Sequence, residues 1–258
     1  MSDIEPRWVD SHCHLFASED DPTDLLDRAL AAGVDWVMCP GIDLETSLEA
    51  RRIAVDHPTR VMWAAGLHPH DAIRWSEQEG RLTALIAEAD AIGECGLDYY
   101  RDLSPRSVQR NVFRRQLELA GGLDKPIIVH CRDAFADVYE DVEQAALGER
   151  VILHSWTGGP KWTKRFSTLD VTFSFAGMVT YPTADTVRRA VSVAPPERSM
   201  VETDTPYLPP QTHRQEPNEP AFVPITGAAV AEIWGLDIAE VARLTSATAR
   251  RVFAHGGT

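Results

Sequence analysis

Residues 61–98 contain one complete strand–helix–strand unit, and the rest of the chain repeats its pattern. Two short apolar runs, VMWAAGLH at 61–68 and AIGECGLD at 91–98, flank a stretch at 76–89 in which apolar residues recur at helical spacing. Both runs have the length of strands and end near Gly or His. A strand, a helix and a second strand in this order are typical of a parallel sheet.

The same alternation continues on both sides of this unit. Further strands are predicted at RWVDSHCH (7–14), VDWVMCPG (34–41), KPIIVHC (125–131), RVILHSW (150–156), VTFSFAG (171–177) and SMVETD (199–204). Further helices are predicted at 22–32, 44–56, 106–121, 134–147, 161–168, 184–193, 221–233 and 238–253. Eight strands alternating with helices over about 250 residues indicate a (β/α)8 TIM barrel, and an open doubly wound sheet, which usually has fewer strands, is the second interpretation.

No internal repeat, low-complexity tract or linker divides the chain, so residues 1–258 are predicted to form a single domain. The stretch 205–224 contains six prolines, which exclude a regular helix or central strand there. Because it follows the eighth strand, we expect a long ordered loop over the mouth of the barrel. A flexible interdomain linker is the weaker alternative, since nothing of domain size follows.

The composition limits the possible functions. The 258 residues include 25 Lys and Arg against 39 Asp and Glu, a formal charge of −14. This acidity argues against a partner held by a broad basic surface, since Lys and Arg supply most of the affinity of such binders for phosphates. No run approaches the roughly 18 apolar residues of a membrane helix, and the amino terminus lacks a signal-peptide pattern. With four widely spaced cysteines, we expect a cytoplasmic protein with reduced thiols, no membrane contact and no stable protein partner.

Six residues with metal-binding side chains fall at the carboxyl ends of predicted strands, which converge on one mouth in a barrel. They are His12, His14, Glu94, His130, His154 and Asp204. Imidazoles and carboxylates gathered at one point suit divalent ions such as Zn, Mn or Mg. Six ligands exceed the roughly three of a catalytic site with an open position, so two ions are predicted. We assign His12, His14 and Asp204 to one ion and His130 and His154 to the other, with Glu94 as the bridge.

Two alternatives remain beside this interpretation. Any single His or Asp at a strand end is more often a structural or capping group than a ligand, so the prediction depends on the joint placement of all six. Cys13, Cys95 and Cys131 each adjoin a predicted ligand, and strand alternation turns their side chains away from the centre. A thiolate site would need a β-bulge to reverse that direction.

Seven motifs, in order, closely resemble the TatD family of metal-dependent hydrolases, within the amidohydrolase-like barrel superfamily. They are DSHCHL, AGLHPH, IGECGLDYYRD, KPIIVHCRDA, LHSWTGG, FSFAGMVTYP and VETDTPYLPP, and the resemblance spans roughly residues 8–253. It implies a two-metal centre at the same six positions and 3′ to 5′ exonuclease or related phosphodiesterase activity on DNA. The chain departs from the family where Gln215 follows Arg214 in place of a glycine, which concerns the substrate loop and not the metal centre.

Roles follow for the residues at the mouth. Asp204 is predicted to orient or deprotonate the attacking water while Glu94 bridges the ions. His68 is predicted to contact the scissile phosphate or protonate the leaving oxygen, and capping of the turn before Pro69 is the structural alternative.

Substrate contacts are predicted in the mouth loops. Arg101, Arg132 and Arg214 are candidate phosphate binders, with ion pairs to local carboxylates as the slightly favoured alternative. Tyr207, like Tyr99, Tyr100 and Trp156, is a candidate platform for a nucleobase or a packing residue of its loop. The predicted substrates are DNA strand ends or another small phosphodiester or ester.

Two other functions stay open at this point. Barrels of this superfamily also cleave amides, lactones and carboxyl esters, and some TatD-like proteins resemble deacylases of D-aminoacyl-tRNA. No lysine lies at a strand end to form a carbamylated bridge, which favours the phosphodiesterase type bridged by Glu94. An inactive barrel scaffold is the third possibility, and the complete ligand set argues against it.

Overall fold

Eight parallel strands form the centre of the molecule in the computed structural model, which describes residues 7–253. They pair in the order of the sequence. Their bounds are β1 Trp8–Asp10, β2 Val34–Pro40, β3 Val61–Ala65, β4 Ala91–Asp98, β5 Ile127–Arg132, β6 Val151–Leu153, β7 Thr172–Phe175 and β8 Ser199–Val201. The first and last strands meet just beyond their ends, where the Ser11 N–H donates to the Val201 carbonyl at 3.1 Å. The predicted (β/α)8 barrel is therefore confirmed, and the open doubly wound sheet is wrong.

Helices connect the strands and cover the outside of the barrel. They are α1 Pro22–Ala31, α2 Leu44–Asp56, α3 Trp75–Glu88, α4 Arg106–Leu123, α5 Phe135–Ala145, α6 Gly159–Ser167, α7 Asp185–Val191, α8 Val223–Trp234 and α9 Ile238–Phe253. Asp43 begins α2 in a capping box with Thr46. Within residues 7–253 no single helix is long and apolar enough to cross a membrane. The segments 220–234 and 238–253 reach that length and apolarity only as a pair, which is bent by 109°.

The interior of the barrel is apolar at the amino-terminal ends of the strands. Inward side chains from seven strands pack there against the last turns of α9; the cluster consists of Val9, Met38, Ala64, Ala91, Ile128, Ile152, Met200, Ala249, Val252 and Phe253. Burial of this apolar surface stabilises the barrel at the end opposite its mouth. The histidines and carboxylates of the predicted centre lie towards the carboxyl-terminal mouth.

Strand β4 departs from the expected geometry. Glu94 lies in the middle of β4 rather than at its end, because the strand continues to Asp98. The pairing of β4 with β5 shifts register between Ile92 and Cys95. Gly96 has φ of +134°, and a Cβ there would lie 2.0 Å from the carbonyl oxygen of His130, so only glycine fits this close approach. The irregularity allows Glu94 to project into the barrel while the strand runs on to the mouth.

The proline-rich segment lies over the mouth as an ordered loop from residue 205 to 222, with short 3₁₀ helices at Gln211–His213 and Pro220–Phe222, and its last two residues, Val223 and Pro224, begin α8. The buried side-chain amide of Asn218 donates to the carbonyls of Thr203 and Tyr207 and so ties the loop to the end of β8. As a result, Tyr207 and Leu208 reach the cavity at the mouth.

Candidate metal centre

Glu94 stands at the centre of five histidines, and its two carboxylate oxygens face different ones. Oε2 lies 3.4 Å from His12 Nε2 and 3.3 Å from His14 Nε2. Oε1 lies 2.9 Å from His154 Nε2 and 3.0 Å from His130 Nδ1. The buried carboxylate therefore divides the site into two groups of nitrogen donors.

The first group consists of His12, His14 and Asp204. The two Nε2 atoms are 3.1 Å apart, and Asp204 Oδ1 lies 3.7 Å and 3.8 Å from them. Two nitrogens bound to one tetrahedral zinc at 2.0–2.1 Å are roughly 3.3 Å apart, so these atoms have the mutual spacing of ligands to one ion. Asp204 is held by its N–H, which donates to the His12 carbonyl at 2.9 Å, in a left-handed conformation with φ of +60°. Backbone strain of this kind is concentrated at functional sites.

The second group consists of His130 and His154 with Glu94 Oε1. The two ring nitrogens, His130 Nδ1 and His154 Nε2, are 3.4 Å apart. Three protein ligands leave a tetrahedral ion one open position, as catalytic sites require. His68 Nε2 lies 3.3 Å from the same oxygen of Glu94, which makes His68 a further candidate donor.

Two buried carboxylates that sequence reasoning missed lie behind the second group. Glu202 Oε1 accepts the Ser155 N–H at 2.9 Å and lies 3.3 Å from His154 Nδ1. Asp98 Oδ2 lies 3.2 Å from His130 Nε2. A histidine that binds a metal usually donates its other ring N–H to such a carboxylate. The signal in the sequence was alternation, because Glu202 lies two residues before Asp204 and Asp98 four residues after Glu94.

The groups of the centre have strongly shifted pKa values. Burial raises the pKa of Glu94, but the neighbouring His154 and His68 outweigh it and hold the pKa well below its usual range. Burial, together with the neighbouring His154, lowers the pKa of His12 to about 4, which keeps this ring neutral, as a ligand must be. Burial raises the pKa of Asp204 to about 7; His154 opposes this rise and Glu202 adds to it. Burial lowers the pKa of His154, but Glu94 and Glu202 outweigh it and hold the pKa well above its usual range, so this ring would release a proton on binding a divalent ion.

The metal-binding side chains face a cavity of about 680 Å³ at the mouth. Some of the predicted substrate-binding residues line this cavity and one does not. Arg101, Arg132 and Tyr207 line it, as do the apolar side chains of Phe16, Ile42, Met178 and Leu208. The Arg132 guanidinium stacks on Tyr100, 4.0 Å from the ring centroid. Arg214 instead stacks on Tyr181 at 4.2 Å and is not among the residues that line the cavity.

Two of the predicted base platforms have other roles. Trp156 is buried among aromatic rings, and its Nε1–H donates to Thr163 at 2.8 Å. The Tyr99 hydroxyl donates to Asp137 at 2.6 Å, away from the cavity. The expectation that Trp156 is available for stacking in a mouth loop is therefore wrong, because its loop turns the ring into the core.

A buried carboxylate among histidines at the mouth of a (β/α)8 barrel defines the class of metal-dependent hydrolase barrels. A family model described as TatD related DNase matches residues 9–254. The chain belongs to this family.

Individual relatives agree with the family assignment. The chain is 35% identical to an uncharacterized metal-dependent hydrolase, YabD, of Bacillus subtilis, over 95% of this chain and 98% of the relative. It is 34% identical to a 3′-5′ ssDNA/RNA exonuclease TatD of Rahnella sp., over 91% and 92%. The crystal structure of YJJV, a TatD homolog from Escherichia coli, superposes with a TM-score of 0.86 at 25% identity, covering 96% of this chain and 98% of that one.

Proposed function

We propose that this protein is a phosphodiesterase that removes nucleotides from the 3′ end of single-stranded nucleic acid, using two divalent metal ions. The observation that carries the proposal is the position of Glu94, whose two oxygens face separate donor groups at distances of 2.9–3.4 Å. Such a carboxylate suits a bridge between two ions, and two-ion centres are common in nucleases. Exonuclease names on relatives of 34% and 32% identity support the choice of substrate.

In this proposal, His12, His14 and Asp204 would hold one ion, His130 and His154 would hold the other, and Glu94 would supply an oxygen to each. Divalent ions at such a centre polarise a phosphoryl oxygen and lower the pKa of a water molecule. Asp204 presents Oδ1 to the first histidine pair, while its Oδ2 has no hydrogen-bond partner among residues 7–253. We assign to Asp204 Oδ2 the orientation of the attacking water and the acceptance of its proton, since a general base acts best with a pKa near the working pH.

His68 is proposed to act on the leaving group. Its Nδ1 accepts the His70 N–H at 3.3 Å, so the neutral ring carries its proton on Nε2, the atom that faces Glu94. Burial lowers the pKa of His68 to about 4, which keeps the ring neutral and makes it a hydrogen-bond donor to a phosphate oxygen. The capping contact and the chemical role are compatible, because they use different ring nitrogens.

The cavity favours a strand end over a duplex. Its volume of about 680 Å³ lies within the range of about 300–1,000 Å³ that is typical of small-ligand pockets. The Arg101 guanidinium makes no ion pair with any residue of the range 7–253, and the Arg132 guanidinium lies over the Tyr100 ring at the cavity, so both are proposed to bind phosphate. Tyr207, exposed at the opposite rim, is proposed to stack on a base. Because Arg214 does not line the cavity, we do not propose it as a substrate contact.

A metal-dependent esterase or deacylase is the second candidate. The apolar wall formed by Phe16, Ile42, Met178 and Leu208 suits an acyl chain as well as a nucleobase. We also propose the cytoplasm as the compartment, since all four cysteines are free and buried.

In the test, purified protein is loaded separately with Zn, Mn or Mg and assayed on three substrates. They are 5′-labelled single-stranded DNA, a generic phosphodiester and an aminoacyl ester. The expected result is a ladder of products shortened from the 3′ end, with Asp204→Asn as the inactive control. Cleavage of the aminoacyl ester alone would support the deacylase, and cleavage of no substrate with any metal would contradict both candidates.

A further inference from the structure

Asp98, the last residue of β4, is fully buried and uses both of its carboxylate oxygens. Oδ2 accepts from two histidines, His70 Nε2 at 2.9 Å and His130 Nε2 at 3.2 Å. Oδ1 accepts from two backbone N–H groups, those of Tyr100 at 3.0 Å and Arg101 at 2.7 Å. One carboxylate therefore contacts a proposed metal ligand on one side and a proposed phosphate-binding loop on the other.

The contact with His130 fixes which ring nitrogen can bind a metal. Because an ionised carboxylate only accepts hydrogen bonds, the contact keeps a proton on His130 Nε2, so Nδ1 is the nitrogen that would supply a lone pair to a metal ion. Nδ1 is the atom that lies 3.0 Å from Glu94 Oε1 and 3.4 Å from His154 Nε2. His130 thus faces the centre through Nδ1, whereas His12, His14 and His154 face it through Nε2.

Asp98 itself is held in place. Its backbone N–H donates to Gln109 Oε1 at 2.9 Å, and its carbonyl accepts from Gln109 Nε2 at 3.2 Å. Gln109 is buried on α4, so the helix outside the barrel fixes the strand end from behind. A carboxylate fixed in this way can position whatever it binds.

We infer that Asp98 is a positioning residue that sets the tautomer of His130 and the place of the Arg101 loop together, so that metal and phosphate are bound at a fixed separation. This inference rests on the proposed function, because it takes His130 as a ligand and Arg101 as a phosphate contact.

The decisive variant is Asp98→Asn, which is nearly isosteric. If the amide oxygen stays on the two loop N–H groups, the amide NH2 faces His130 Nε2 and favours the tautomer with the proton on Nδ1, which cannot bind a metal. If the side-chain amide is flipped, its NH2 group faces the backbone N–H groups of Tyr100 and Arg101. No hydrogen bond can then form between these donors, and the loop is no longer held. The expected result is a loss of affinity for one of two zinc ions by about 10–100-fold, measured by equilibrium dialysis with elemental analysis. A raised KM for single-stranded DNA is expected to accompany it.

Asp137→Asn is the matched control. Asp137 is also an aspartate near the mouth, but it contacts Tyr99 and Arg110 and no proposed ligand, so zinc affinity should stay within about threefold of the parent protein. Wild-type zinc affinity for both ions in a folded Asp98→Asn variant would overturn the inference.

Two further measurements separate this inference from the proposed function. His130→Ala should lose one zinc ion; a parent protein that binds no zinc, or a His130→Ala variant that binds two, contradicts the proposed function. The ring tautomer of His130 is read independently, by ¹⁵N NMR of the metal-free parent protein at a pH at which the ring carries a single proton, with His130→Ala as the assignment control. A proton on Nε2 supports the inference even if Asp98→Asn does not fold, and a proton on Nδ1 overturns it.

Discussion

Replacement of Glu94 by Gln tests the whole centre with one change of charge. Glu94 supplies one oxygen to each donor group, and five histidine nitrogens lie 2.9–3.4 Å from its carboxylate. Glutamine keeps the shape but offers one neutral oxygen to one group and an N–H to the other. We expect the protein to retain at most one of two ions. The lost ion is worth several kcal/mol of transition-state stabilisation, and about 4 kcal/mol corresponds to a fall in kcat of roughly 10³-fold.

The assay combines elemental analysis after gel filtration with kcat on 5′-labelled single-stranded DNA under saturating metal. Glu143→Gln is the matched control, since Glu143 contacts the Tyr139 hydroxyl on α5 and should change neither quantity. Two bound ions together with kcat within about threefold of the parent value would refute the role of Glu94 as the bridge.

Two further predictions concern proton transfer and pH. His68→Ala should lower kcat by about 10²-fold or more while both ions stay bound. The Asn side chain of His68→Asn can still accept the His70 N–H. If kcat is restored in His68→Asn, His68 only caps its turn and has no chemical role. Zinc affinity should fall as the pH decreases from about 8 to 6. Burial lowers the pKa of His154, but Glu94 and Glu202 outweigh it and hold the pKa well above its usual range. Because His154 is then protonated, zinc binding must release a proton. Competition titrations across this range measure the effect, and a pH-independent affinity would contradict it.

Hydrophobic periodicity was sufficient to predict the barrel, because the strands are short apolar runs and most of the helices are amphipathic. The lengths of elements were harder to predict. The run RWVDSHCH contains a strand of only three residues, Trp8–Asp10, although the N–H groups of Cys13 and His14 still donate to the carbonyls of Met38 and Thr205 beyond its end. Helix α4 continues through Gly121 and Gly122 to Leu123, because packing of its buried face overrides the low helix propensity of glycine.

The metal-binding side chains around Glu94 were predictable from the sequence, whereas the carboxylates that support them were not. Ligand-type residues at strand ends stand out, and a parallel barrel brings strand ends together whatever the loops do. Asp98 and Glu202 escaped notice because their role depends on which ring nitrogen they meet in space, and the chain separates Glu202 from His154 by 48 residues. The choice between a substrate contact and a packing role for Trp156 and Arg214 could not be made from the sequence, because no periodicity sets the direction of a loop side chain.

The positions of the arginines show how a protein with a net charge of −14 could bind a phosphate. Many of them are neutralised locally: Arg110, for example, contacts Asp137, Glu140 and Asp141. Of the arginines in residues 7–253, only Arg101 and Arg132 line the cavity. Two phosphate contacts on a single strand give a slope of log affinity against log salt of only about −1.4. In the proposed function, metal ions at the centre would then supply most of the attraction for nucleic acid, so capture would depend on a strand end that can enter the cavity, and the net charge of −14 disfavours binding along a duplex.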